Sequence, residues 1–241
     1  MATPPNRYPP DQGSSKLVNI RIAVLVSGRG SNLQALLDAI DNGTLEAEIV
    51  GVFSDRPDAA ALQRVAPALR WSEAAESFPD RLSFDHALAG AVAARRPDWV
   101  VCAGYMRILG DRFVERFRGR LLNIHPSLLP KYRGLRTHAR ALEAGDTEHG
   151  TSVHFVVPEL DAGAVIAQAR MPVLPGDDPQ TLAQRLLPQE HRLLVEALRL
   201  AAAGRLAERD GMAYCDGQPL FTPLRLDSAV GLTLPDATTS P

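Results

Sequence analysis

Ile20 to Val26 is an apolar run broken only by Arg21, and it passes directly into Ser27-Gly28-Arg29-Gly30-Ser31-Asn32, after which Leu33, Leu36, Leu37 and Ile40 recur at helical spacing. A strand that is apolar on both sides suits a parallel sheet covered by helices, because there both faces are buried. The same alternation continues along the chain. Ile49 to Phe53 predicts a strand, Ala59 to Val65 a short helix, Phe84 to Ala94 a longer helix, and Trp99 to Ala103 another buried strand before Gly104. Repeated β-α-β units define an α/β class: one domain built on a doubly wound, mostly parallel sheet with helices on both faces. A chain of 241 residues is of single-domain size. Residues 1–18, rich in Pro, Ser, Asn and Gly, predict a disordered tail, 19–216 the folded domain, and 217–241 a largely irregular extension.

Ligands of such sheets gather beyond the carboxyl ends of the strands, so the loops that follow strands carry the interest. The glycine loop at 27–32 leads from a strand into a helix, where free backbone N–H groups and the positive helix end make an anion cradle. It lacks the third glycine of a dinucleotide fingerprint and the Lys-Ser/Thr of a P-loop, which leaves a single phosphate group as its match. Ser31 and Asn32 are expected to cap the helix and donate to the anion. A second strand end is more unusual: Leu121-Leu122-Asn123-Ile124-His125-Pro126-Ser127-Leu128-Leu129-Pro130-Lys131-Tyr132. Asn123 and His125 leave the same face of a strand while Ile124 points the other way, and the two prolines stiffen the exit. Gly104 to Leu109 follows its own strand and offers an apolar wall.

Further on, 131–137 reads as a loop able to close over substrate and His138 to Ala144 as a short helix. The β-branched run Gly150 to Val157 carries His154, which alone reads as a packed histidine. Asp161, in a Gly-flanked turn, reads by default as a residue bonding its own backbone. Ala164 to Ala169 is expected to be the final strand, and Asp178 to Leu187 and Gln189 to Ala203 a pair of amphipathic helices separated by Pro188.

Composition excludes several functions. With 26 basic and 28 acidic residues scattered along the chain, no electrostatic footprint for nucleic acid is expected. Cys102 and Cys215 form neither a disulfide framework nor a CxxC pair, and the six histidines contain no HExxH, so no metal site is expected. No Gly-x-Ser-x-Gly elbow is present. Without an uninterrupted apolar stretch of membrane length or a signal-type leader, the expectation is a cytoplasmic protein with no membrane partner.

The segment Asn123 to Tyr132 resembles the signature of the 10-formyltetrahydrofolate-dependent formyltransferases, in the form found in the phosphoribosylglycinamide formyltransferases of purine synthesis. The resemblance spans about residues 20 to 216 and implies a Rossmann-like formyltransferase fold. It also implies transfer of a formyl group from 10-formyltetrahydrofolate, as cosubstrate, to the amino group of glycinamide ribonucleotide. By the same resemblance Asn123, His125 and Asp161 are the catalytic residues. Gly30, Ser31 and Asn32 hold the ribonucleotide phosphate, and Glu190 also binds the ribonucleotide. Met106, Arg107, Ile108 and Leu109 line the pterin pocket, and Arg81 meets the folate tail. Arg136, Val157, Pro158 and Pro188 depart from the family pattern. A homodimer is left open. Two alternatives stand beside this: a methionyl-tRNA formyltransferase-like enzyme, disfavoured by the chain's length and charge, and a non-catalytic nucleotide-binding protein of the same fold. Such a transfer needs a neutral amine, stabilisation of a tetrahedral oxyanion and a proton route to the leaving nitrogen, parts that Asn, His and Asp supply.

Overall fold

The computed structural model describes residues 19–227 and 229–234. The whole of the expected tail at 1–18 and the segment 235–241 lie outside the described residues. Strand β1 (Ile20–Val26) leads into α1 (Ser31–Asp41), followed by β2 (Ala47–Ser54), a 3-10 turn at Ala60–Arg64 and β3 (Arg70–Ser72). Helix α2 (Arg81–Ala94), β4 (Trp99–Cys102), α3 (Asp111–Arg116), β5 (Leu121–His125) and α4 (Thr137–Glu143) come next. Strands β6 (Glu148–Phe155) and β7 (Val165–Pro172) precede α5 (Pro179–Ala202), and β8 (Leu206–Arg209), β9 (Met212–Cys215), β10 (Gln218–Pro219), β11 (Leu224–Asp227) and β12 (Gly231–Thr233) complete the described chain.

Nine strands form one sheet in the order β12-β11-β7-β6-β5-β4-β1-β2-β3, and β8 to β10 form a small antiparallel sheet of their own. The pairings from β3 through β2, β1 and β4 to β5 are all parallel, whereas β6 runs antiparallel to both β5 and β7. Alternate residues of each central strand feed opposite faces, as the period of two requires. Ile22, Val24 and Val26 pack with Leu33 and Leu36 of α1 and Leu193, Leu194, Ala197 and Leu198 of α5. Ala23 and Leu25 pack with Phe84, Leu88 and Val92 of α2 and Phe113 of α3 on the other side. Both faces of the sheet are therefore covered, and the doubly wound expectation holds.

Three expectations change. Pro188 does not divide the last helix: α5 is continuous over 24 residues with Pro188 inside it. Leu182 and Leu186 before the proline and Leu193, Leu194, Ala197 and Leu198 after it are all buried, so packing on both sides outweighs the lost backbone bond. Nor is β7 the final strand, and the extension expected to be largely irregular from residue 217 contains β10, β11 and β12. Leu224, buried at the start of β11, anchors that segment beside Ala167 of β7.

Chain order reverses at the crevice between β1 and β4: from β1 the chain builds outward through β2 and β3, then crosses back to β4. The loops after β1 and β4 meet there. Ser27 N donates to Gly104 O at 3.1 Å, and Met106 N donates to Ser27 Oγ at 2.9 Å. Ser27 Oγ in turn donates to Asp55 at 2.6 Å, so one buried hydroxyl links the ends of β1, β2 and β4.

Candidate active site

Asn123 and His125 lie on β5 and face, across the antiparallel pairing, His154 and Ser152 of β6. The pairing decides which side chains meet: Asn123 opposite His154 puts an amide beside an imidazole on one face of the sheet. Asn123 Nδ2 is 3.1 Å from His154 Nε2. His154 Nδ1 is 2.8 Å from the Phe155 carbonyl, which can only accept, so Nδ1 carries the proton and Nε2 accepts from Asn123. His154 is thereby more than a packed histidine, because it fixes the Asn123 amide.

Asp161 reaches the same point from the turn before β7. Its backbone is left-handed at φ 47°, and Gly163 two residues later lies so near Phe155 that a Cβ there would sit 1.9 Å from the Phe155 carbonyl oxygen. The turn is thus pressed onto the end of β6. The Asp161 carboxylate does not serve its own turn. It accepts from Gly134 N at 2.8 Å and lies 3.4 Å from Asn123 Nδ2, 3.4 Å from His125 Nδ1 and 3.6 Å from His154 Nε2. Burial works to raise the Asp161 carboxyl, but its surroundings hold it below its ordinary value: His154 and His125 whenever their rings carry charge, and the Gly134 amide in either state.

His125 is held from its other nitrogen, since Nε2 lies 3.0 Å from the Tyr132 carbonyl and must donate to it. Nδ1, facing Asp161, is then the free nitrogen of a neutral ring. Burial lowers the pKa of His125 and outweighs the opposing pull of the Tyr132 carbonyl and Asp161. The two Asn123 protons point at His154 and Asp161.

A cavity of about 540 Å³ opens beside these groups. Met106, Arg107, Ile108 and Leu109 line one part of it, with Cys102 and Val114 behind, and Asn32 and Glu190 line another. Arg136, Val157 and Pro158, three of the four positions that depart from the family pattern, also border it. Leu109 is buried, whereas Met106 and Ile108 are 63% and 51% exposed and free to meet a ligand. Arg107 stacks its guanidinium over Phe84 at 5.1 Å and leaves a buried Nε without a partner. Arg81 donates to the Ile108 carbonyl at 2.9 Å, which attaches it to the back of this wall.

At the start of α1 the cap differs from expectation. Gly30, at φ 73°, is the N-cap residue, and no side-chain cap bond from Ser31 or Asn32 is formed. The left-handed geometry suits glycine, and a Cβ at Gly30 would lie 2.5 Å from that of Ala61. The first amides of α1 lack intrahelical acceptors and remain available to an anion. Asn32 turns inward instead, its Nδ2 3.4 Å from Glu190 Oε2 and its buried Oδ1 without a partner. Burial pushes the Glu190 carboxyl up to about 7, with the Asn32 bond a smaller opposing influence.

The structure thus unites Asn123, His125 and Asp161, places Met106 to Leu109 and the Asn32–Glu190 pair in one adjoining cavity, and sets Arg81 behind the wall. His154, the Tyr132 carbonyl and the Gly134 amide complete the cluster. No motif marked the two backbone groups, and only the β5–β6 register could have marked His154. Among the described residues no group of three or more His, Cys, Asp or Glu is arranged to hold a metal ion.

A strand-end Asn and His joined to a turn Asp, at the crevice of a doubly wound sheet, coincide with the family of the sequence: residues 20–198 match the formyl transferase family, and the chain belongs to it. Among its relatives, the phosphoribosylglycinamide formyltransferase of Escherichia coli (strain K12) is 47% identical over 203 residues, covering 83% of this chain and 96% of that one. The Haemophilus influenzae enzyme of the same name is 43% identical over 207 residues, covering 83% and 95%. The solved structure of the Coxiella burnetii phosphoribosylglycinamide formyltransferase superposes with a TM-score of 0.79 at 47% identity, covering 83% of this chain and 95% of that one.

Proposed function

We propose that this protein transfers the formyl group of 10-formyltetrahydrofolate to the amino group of glycinamide ribonucleotide, the step of purine biosynthesis for which its relatives are named. The observation that carries the proposal is the Asn123–His125–Asp161 cluster at one end of a cavity whose two other regions differ in chemistry. The folate region is the apolar wall of Met106, Ile108 and Leu109, where Arg107 Nε and the wall's backbone offer polar contacts to a pterin. Arg81, on the rear of that wall, reaches the folate tail. The ribonucleotide region has the free amides at Gly30, Ser31 and Asn32 for the phosphate and Asn32 with Glu190 beside it, where the orphan Asn32 Oδ1 awaits a donor.

The donor supplies the formyl carbon, and the residues manage its charge and protons. As the amine adds, negative charge develops on the formyl oxygen. Asn123 turns its longer contact, the one to Asp161 at 3.4 Å, toward that oxygen while His154 keeps the other proton of the amide fixed. The attacking nitrogen becomes positive and must shed a proton. His125 takes it at Nδ1, where Asp161 stabilises the imidazolium, and Nδ1–H then faces the oxyanion and passes the proton to the leaving nitrogen. A neutral resting His125 fits this order because a charged one could not accept.

No helix among the described residues is long and apolar enough to cross a membrane. A cytoplasmic setting and self-association as a homodimer are part of the proposal, the latter read by sedimentation. The test of function is turnover with glycinamide ribonucleotide and 10-formyltetrahydrofolate, with formylmethionyl-tRNA formation assayed in parallel. Wild-type protein is expected to formylate the ribonucleotide alone. His125→Ala should bind both substrates with kcat reduced about 10²- to 10³-fold. Near wild-type turnover in that variant, with its circular dichroism unchanged, would remove His125 from the chemistry.

A further inference from the structure

Asp85 is the least explained charge in the protein. It sits on α2, 5% exposed, and neither carboxylate oxygen is in hydrogen-bonding geometry with a donor. A buried carboxylate in that condition is costly and calls for a reason. Three of its neighbours, Arg81, Arg107 and Gly110, belong to, grip or adjoin the segment that walls the cavity. Arg81 Nε stands 3.6 Å from Oδ2, and the same guanidinium, through Nη2, bonds the Ile108 carbonyl at 2.9 Å. Burial raises the Asp85 carboxyl; the charges of Arg81 and of Arg107, which lies over the ring of Phe84, the residue before Asp85, work against that and favour the carboxylate. On the third side Oδ2 presses on Gly110 so closely that a Cβ there would be 2.5 Å away.

We infer that Asp85 is a positioning residue for the folate side of the site: from behind the wall, its carboxylate holds Arg81 against Ile108 and seats Gly110, so that Met106 to Leu109 present a preformed surface. The inference rests on the proposed function and goes beyond it, because Asp85 lines not the main cavity but a separate one of about 410 Å³. Attraction to a carboxylate that no hydrogen bond satisfies can orient Arg81 without committing all its donors, which leaves one for the Ile108 carbonyl. The wall then owes its shape to a charge buried behind it.

The experiment compares wild type, Asp85→Asn and Gly110→Ala, measuring kcat, both KM values, and folate affinity by calorimetry for donors with one and with several glutamates. Asp85→Asn keeps the shape and removes the charge. Gly110→Ala keeps the charge and displaces the carboxylate, at a residue whose φ of −75° admits alanine. Both are expected to weaken folate binding about tenfold, equally for short and long glutamate tails, with kcat and the ribonucleotide KM within about twofold of wild type. A purely structural role would lower the melting temperature and leave KM unchanged. Unaltered folate affinity in the two variants overturns the inference, as does tighter binding that grows with tail length, which would make Asp85 only a neutraliser of Arg81. Should Asp85→Asn fail to fold, Gly110→Ala decides alone. Failure of wild type to formylate the ribonucleotide would instead count against the proposed function, and the calorimetry would still decide the role of Asp85.

Discussion

His149 and Glu190 are titrating residues that burial moves in opposite senses. Enclosure at the start of β6, and then the charge of His138 whose Nδ1 lies 3.0 Å away, push His149 from 6.5 down to about 4. Enclosure beside Asn32 pushes Glu190 from 4.5 up to about 7. As pH falls from 6.5 toward 4, the unfolded chain takes up a proton that folded His149 refuses, so stability is lost by ~3 kcal/mol in all. As pH rises from 4.5 toward 7, the unfolded chain releases a proton that folded Glu190 retains, so stability is lost by a similar ~3 kcal/mol in the other direction. The two oppose each other between pH 4.5 and 6.5. Urea unfolding across that window is expected to show His149→Asn losing stability, relative to wild type, as pH rises. Glu190→Gln should lose it as pH falls, and curves parallel to wild type would contradict both assignments. Neither environment was legible in the sequence. Glu190 came forward only through a family likeness, and His149 not at all, because enclosure depends on which elements pack together. The catalytic trio was legible for the opposite reason: Asn123 and His125 share a strand face by their spacing, and the motif around them is specific.

Helix α5 shows how an element escapes a local rule. Proline removes the donor that would meet the Gln184 carbonyl and normally costs a helix interior ~3 kcal/mol. Yet α5 starts with a full capping box at Asp178 and Thr181 and buries leucines on both sides of Pro188. Pro188 itself is exposed, so no packing is at stake there. Pro188→Ala is therefore expected to stabilise the protein by ~1–2 kcal/mol, part of the gain being offset by a more flexible unfolded chain. A higher urea midpoint with unchanged slope would show it, and an unchanged midpoint would mean that the proline ring is tolerated without strain. Elsewhere, element type followed from periodicity wherever the run was long. Strand β1 and helices α1 and α2 emerge from apolar spacing alone. Strand β3, only Arg-Trp-Ser, is too short to show alternation, and α3 spans barely two turns. The strands β8 to β12 are short and half-polar; β8, β9 and β10 pair with their chain neighbours, as β11 does with β12, and only the pairing of β11 with β7 depends on a strand distant in sequence.

At the scale of the molecule, the sheet order brings both proposed substrate regions to the crevice between β1 and β4, and Ser27 stands in it. The Ser27 hydroxyl accepts from Met106 N, at the folate wall, and donates to Asp55, while its own strand continues into the phosphate loop. The two recognition loops are thus joined through one lone pair of this hydroxyl, whose proton is anchored on Asp55. If stiffening one loop lowers the entropic cost of ordering the other, each substrate tightens the other, and by linkage the factor is the same in both directions. Calorimetric titration of each ligand, alone and with the other saturating, is expected to give equal mutual enhancement in wild type. Ser27→Ala should reduce that factor toward one while shifting either separate affinity much less, and a factor unchanged in the variant would mean that the loops do not communicate through this hydroxyl. The protein would then behave as a two-input gate, most responsive when both metabolites are present together and reluctant to hold either one alone.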